Sequence, residues 1–226
     1  MNHLTAQHII QSRAGGASER CHGIRHLGSY NNAAHSWGVA MLMWHIWPEH
    51  FQRLSIYCIT HDVPEAWSGD IPAPTMRYLP GLKGSLEHFD SALSRGCGCP
   101  PESDLTGDDY AMLKACDRLE FWLWCREQAA LGNMFAGEGQ REIERYFTEV
   151  PLPSKAQEVY EALCARTVVP VQAGIMKDIA DEQAKAKAMA ERKLDLVLRG
   201  PTGGIDLTKS QDRASREQDA RLNKVR

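Results

Sequence analysis

Apolar residues recur at helical spacing through most of the chain, and no segment sustains period-two alternation, which predicts an all-α fold. A first short helix is expected over Thr5 to Gln11, with Gly15-Gly16 ending it. A second opens at Asn31-Asn32, where either asparagine suits the N-cap, and carries Val39, Leu42, Met43 and Ile46 at helical spacing up to Pro48. In the next helix, Phe51 to Thr60, Leu54, Tyr57 and Cys58 share a face that continues to His61. Pro64 suits the first turn of a short helix. Gly69-Asp70-Ile71-Pro72-Ala73-Pro74 reads as a rigid turn, because each proline fixes its own φ and restrains its predecessor. Further helices are predicted over Leu82 to Leu93, Leu105 to Leu131, Gly139 to Phe147 and Ser154 to Arg166. Ile175 to Leu198 has only a sparse apolar stripe and reads as an exposed or partner-packing helix.

Polar residues interrupt this pattern where apolar ones belong. His35 shares a face with Val39 and Leu42, the doublet His61-Asp62 ends the buried face of the next helix, and Asp117 is flanked at helical spacing by Leu113, Phe121 and Trp124. A buried charge without a partner is costly. Singly, each is explained by a hydrogen-bonded core histidine or a structural salt bridge. Together, His35, His61, Asp62 and Asp117 are better explained as ligands of one divalent metal ion. Two imidazoles and two carboxylates suit Co, Mn, Zn or Fe(II) without choosing among them, and a metal so held lowers the pKa of bound water.

Glu65, three residues past Asp62, is placed to take or deliver a proton. Asp70, on its rigid turn, would position water or a neighbouring cation; its simpler reading is a loop cap. Arg20 and Arg25, in Arg20-Cys21-His22-Gly23-Ile24-Arg25-His26, would supply charge for a phosphate, against the plainer reading of a solvated loop. The combination points to metal-assisted hydrolysis of a phosphate ester. His45 and His50 read as surface histidines at a helix C-terminus, where the dipole favours them.

Composition narrows the setting. The 226 residues are 43% apolar, enough for one domain with some extra chain. A net charge of −3 argues against a general polyanion binder, so no specific nucleic-acid partner is expected. Of seven cysteines, Cys58, Cys116, Cys125 and Cys164 lie in apolar helical patterns and behave as small hydrophobes, while Cys97-Gly98-Cys99 reads as a loop with two free thiols. No signal peptide is seen, and no run approaches the roughly 20 apolar residues of a membrane span. The expectation is a soluble, cytoplasmic protein with no membrane partner. The expected organisation is a catalytic domain over 1–170, a helix over 171–198 and a flexible polar tail over 199–226. That last stretch holds seven basic and four acidic residues.

Three stretches also carry a family resemblance: Asn31-Asn32-Ala33-Ala34-His35-Ser36, the block from His61-Asp62 through Glu65 and Gly69-Asp70-Ile71-Pro72-Ala73-Pro74, and Lys114-Ala115-Cys116-Asp117-Arg118-Leu119. They resemble the HD-domain phosphohydrolases, and within them the YfbR-like 5′-deoxynucleotidases, over roughly residues 18 to 165. The resemblance implies an HD-domain helical bundle with metal ligands His35, His61, Asp62 and Asp117. It implies a catalytic glutamate at Glu65, a second active-site acid at Asp70, a phosphate-contacting Arg20 and a second arginine matched by Arg25. It further implies removal of phosphate from deoxynucleoside 5′-monophosphates, a small-molecule nucleotide as partner, and a homo-oligomer. Cys21 departs from the pattern: the family often carries there a Trp packed against the sugar. Related phage-type enzymes release triphosphate from dATP, which is the alternative activity. A non-catalytic nucleotide-binding module is a further alternative, and it predicts missing ligands or a missing acid, whereas all are present.

Overall fold

Helix ends fall where capping groups and prolines place them in this computed structural model, which describes residues 3–166 and 171–199. α1 spans His3–Gly15 and α2 Asn32–Ile46. Of the two candidate caps, Asn31 is the one used: its side chain accepts from the Ala34 N–H at 3.0 Å. Asn32 lies inside the helix and is buried. α3 (Pro48–Thr60) begins three residues before the expected start, because Pro48 cannot continue α2 yet is preorganised for a first helical turn. There follow α4 (Glu65–Ser68), α5 (Ala73–Tyr78), α6 (Pro80–Gly96), a 3-10 turn (Glu102–Asp104), α7 (Gly107–Ala130), α8 (Ala136–Glu149), α9 (Ser154–Cys164) and α10 (Val171–Arg199). Among the described residues there is no strand; Glu19 and Asn31 form an isolated antiparallel bridge that closes the loop carrying Arg20 and Arg25.

α2 packs on both α3 and α7, and α8 covers α7. The shared core is built from Val39 and Met43 of α2, Leu54 and Cys58 of α3, and Leu113, Cys116 and Leu119 of α7, all fully buried. Each such aliphatic side chain contributes roughly 1.5–3 kcal/mol by leaving water. Trp122 extends the core toward α9, meeting Tyr160 edge-on at 4.9 Å. Its indole N–H donates to Glu144 at 2.9 Å, so burying the ring leaves no polar group unpaired. The inner faces of α2, α3 and α7 are also the faces that carry His35, His61 and Asp117.

The described residues divide into two units, 3–166 and 171–199. Within the second, the described side chains of α10, 181–195, are exposed. Beyond Arg199, the segment expected as a tail lies outside the described residues. Among the described residues, no helix is long and apolar enough to cross a membrane.

All seven cysteines are free. Cys97 and Cys99 are buried against Val63 at the end of α6. Burial pushes the Cys58 thiol up to about 12 and raises Cys116 and Cys125 as well, so these three stay protonated and shielded. Cys164 is exposed. A maleimide at neutral pH is therefore expected to label Cys164 in the native protein and to reach Cys58, Cys116 and Cys125 only after denaturation. Peptide mass mapping reads the outcome, and native labelling of those three would contradict the packing.

Candidate metal centre

His35 comes from one turn inside α2 and His61 is the C-cap of α3, so both rings are carried on rigid backbone. Their Nε2 atoms face each other at 3.2 Å. Asp62 Oδ2 lies 3.1 Å from His61 Nε2 and 3.5 Å from His35 Nε2. Ligand atoms of His35, His61 and Asp62 fall within 4.8 Å of one another, a spacing that suits a metal ion. Asp117, from the middle of α7, lies outside that group of three and reaches it through Oδ1, 3.2 Å from His35 Nε2.

The donor chemistry fits a divalent ion. The His61 Nδ1–H donates to the Cys58 carbonyl at 3.1 Å, and His35 Nδ1 is hydrogen-bonded to Glu120, which leaves both Nε2 atoms facing inward as ligands. Metal–ligand distances of about 2.0–2.2 Å place neighbouring ligands about 3.3–3.6 Å apart around a tetrahedral ion, close to the separations these atoms already have. Burial alone would lower the His35 pKa, but hydrogen bonds to Asp117 and Glu120 outweigh it and lift it to about 9. Burial opposes charge on Asp62 and Asp117, yet their neighbours, the His61 ring and Arg20 for the one and Lys114 and the His35 ring for the other, hold both well below the usual carboxylate range.

Arg20 closes one side. Its guanidinium pairs with Asp62, lies 3.6 Å from Glu65 Oε2 and donates to Asn32 Oδ1 at 3.2 Å. Arg20 Nε is buried without a protein acceptor, and Glu65 Oε2 is buried without a hydrogen-bond donor. Burial first, and the Asp62 carboxylate second, push the Glu65 carboxyl up to about 8. Asn32 stitches this side together, its Nδ2 donating to the Asp62 carbonyl at 3.0 Å and the Gly15 carbonyl at 3.2 Å. On the far side Lys114 Nζ sits 2.6 Å from Asp117 and 3.1 Å from Glu102.

Asp70 and Arg25 sit differently. The Asp70 carboxylate accepts the Cys21 backbone N–H at 2.6 Å. Cys21 has φ +54°, so Asp70 holds a left-handed turn directly after Arg20. This is the loop-capping use of Asp70. Arg25 is exposed on the outer part of the loop, with its carbonyl accepting from Asn133 at 2.8 Å, and no described contact joins its side chain to the cluster. Residues missed by sequence reasoning are Asn32, Tyr30 and Glu120. Glu120 had a legible signal, since it follows Asp117 by three residues and interrupts the same apolar face.

No family model matches the chain. A curated dATP triphosphohydrolase of Salmonella phage PMBT28 is 28% identical over 112 residues, 44% of this chain and 56% of that protein, so the chain spans about half the length of the relative it matches. Among solved structures, the cyanophage S-2L HD phosphohydrolase DatZ, bound to dA and one catalytic Zn2+ ion, superposes with a TM-score of 0.51 at 16% identity, covering 66% of this chain and 89% of that one. The chain has the HD-domain fold. The PH0347 protein of Pyrococcus horikoshii OT3 shares it with a TM-score of 0.52, again at 16% identity, over 70% of this chain and 96% of that one. His61-Asp62 lies in the junction between α3 and α4.

Proposed function

We propose that the chain is a metal-dependent phosphohydrolase that cleaves the 5′-phosphate ester of deoxynucleotides. The observation that carries this reading is the cluster of His35, His61 and Asp62, with Asp117 reaching His35, beside an arginine and a glutamate that each keep a buried polar atom unpaired. When bound, a divalent ion there would acidify water and offset phosphate charge. Arg20 Nε would donate to a phosphoryl oxygen, satisfying its orphaned N–H. The pairing of Arg20 with Asp62 holds the guanidinium beside the ligand cluster. Glu65 would hold or move the proton at Oε2, next to the phosphoryl group that Arg20 holds. Asp70 would act at one remove, by fixing the turn that presents Arg20.

For the substrate, the dATP triphosphohydrolase relative and the dA held by DatZ favour a deoxyadenosine nucleotide with its triphosphate released whole. A deoxynucleoside 5′-monophosphate is the second reading, favoured by the motif block from His61 to Pro74. Both break the same ester bond and leave the same deoxynucleoside. Incubation with Co2+, Mn2+ or Zn2+ and either dATP or dAMP, followed by chromatography of the products, separates them. Triphosphate plus deoxyadenosine supports the first, and phosphate from dAMP supports the second. Release from neither, across mono- and triphosphates of all bases, would overturn the phosphohydrolase reading. The resemblance also carries the expectation of a homo-oligomer, which light scattering reads.

A further inference from the structure

We infer that Glu120 is the positioning residue of the metal centre, locking the His35 ring with Nε2 toward the metal, and that Gly38 is the gap that lets it do so. The inference rests on the metal reading of His35, His61, Asp62 and Asp117. Glu120 Oε2 takes a hydrogen bond from His35 Nδ1 and another from the Tyr30 hydroxyl. His35 is fully buried, so a wrong ring rotamer or tautomer has no water to satisfy it. A carboxylate on Nδ1 keeps the proton there and leaves the Nε2 lone pair for the metal. The Tyr30 ring is itself fixed, stacked on Trp124 with centroids 4.4 Å apart and planes 14° apart. Its hydroxyl therefore steadies Glu120, and it also lies 3.2 Å from His35 Nδ1.

Gly38 lies one turn after His35 on α2, facing α7. A Cβ there would come within 2.5 Å of Glu120 Cγ and 3.1 Å of Oε1. No side chain can stand at position 38 while Glu120 reaches His35. The seam between the two helices thus carries a matched pair of spacings: His35 and Gly38 on α2, Asp117 and Glu120 on α7. In each helix one member serves the metal directly and the other serves the orientation of His35.

The test is Zn2+ affinity, measured by competition with a chromophoric chelator on protein stripped with EDTA, alongside the melting temperature of the same metal-free samples. Glu120→Ala is expected to weaken Zn2+ binding by about 10- to 100-fold, the range for removing a carboxylate behind a ligating histidine. Glu120→Gln keeps an acceptor without the charge and should fall between Glu120→Ala and wild type. Gly38→Ala leaves every polar group in place and should still weaken binding about tenfold by displacing Glu120. A purely structural Glu120 would lower the melting temperature and leave affinity alone. If the Glu120 and Gly38 variants bind Zn2+ within twofold of wild type, the inference is overturned while the metal reading stands. Absence of Zn2+ binding by wild type, or unchanged binding in His61→Ala, overturns the metal reading and the inference with it. Should Glu120→Ala fail to fold, Glu120→Gln and Gly38→Ala decide the matter.

Discussion

Glu65→Ala is expected to lower kcat by about 10^2- to 10^4-fold, the usual yield of a positioned acid or base, while the protein keeps its metal. The reasoning is spatial. Glu65 follows the His61-Asp62 doublet on the first turn of α4, its backbone N–H donating to the Asp62 carbonyl at 3.1 Å. Its carboxylate faces Arg20, not the two Nε2 atoms, so removing it deletes proton transfer and spares the ligand set. Glu65→Gln preserves the shape of the side chain beside Arg20 but cannot exchange a proton, so it should be nearly as damaged as Glu65→Ala. Turnover at saturating metal and metal content by mass spectrometry decide the point. Activity near wild type in either variant would take the proton-transfer role away from Glu65.

The second large effect is expected at Asp117. Asp117→Ala should release bound metal, with affinity falling by more than the 10- to 100-fold typical of groups that merely support a ligand, and activity falling with it. Asp117 has structural duties too, because Lys114 sits at 2.6 Å and His35 at 3.2 Å from it. Breaking a buried pair by removing one partner costs about 3–5 kcal/mol, although Lys114 retains Glu102. Asp117→Asn separates the two effects: it keeps the volume of the side chain while removing the ligand charge. Metal stoichiometry that stays at the wild-type value in both variants would strike Asp117 from the ligand set.

Much of this centre is legible before folding, and the reasons differ by residue. His35, His61, Asp62 and Asp117 announce themselves because polar groups on apolar helix faces are costly, so each asks for a partner. Glu65 is legible by its fixed distance from the doublet. Asp70 is legible as a member of a rigid turn, but its contact is the Cys21 N–H, on a loop 49 residues away in sequence. Arg20 and Arg25 look equivalent in sequence. One is drawn inward by Asp62 and Asn32, the other stays exposed, and nothing local distinguishes them. The choice between Asn31 and Asn32 as cap is similar: Asn32 is taken into the interior because Gly15 and Asp62 offer carbonyls to its amide.

Helical periodicity by itself determined the all-α architecture and the inward faces of α2, α3 and α7, whereas α5 begins inside the stretch that reads as a rigid turn. These follow from local geometry, since side chains three and four apart share a face whatever the rest of the chain does. Helix packing alone decided which inward groups meet. It set His35 Nε2 against His61 and Asp117, turned His35 Nδ1 to Glu120, and made Gly38 a space for another helix's carboxylate. These contacts join residues 26 to 85 positions apart, across interfaces whose rotation and depth depend on the whole core. A ligand set can therefore be read from one helix at a time, whereas the side chains that aim it exist only once the helices have packed.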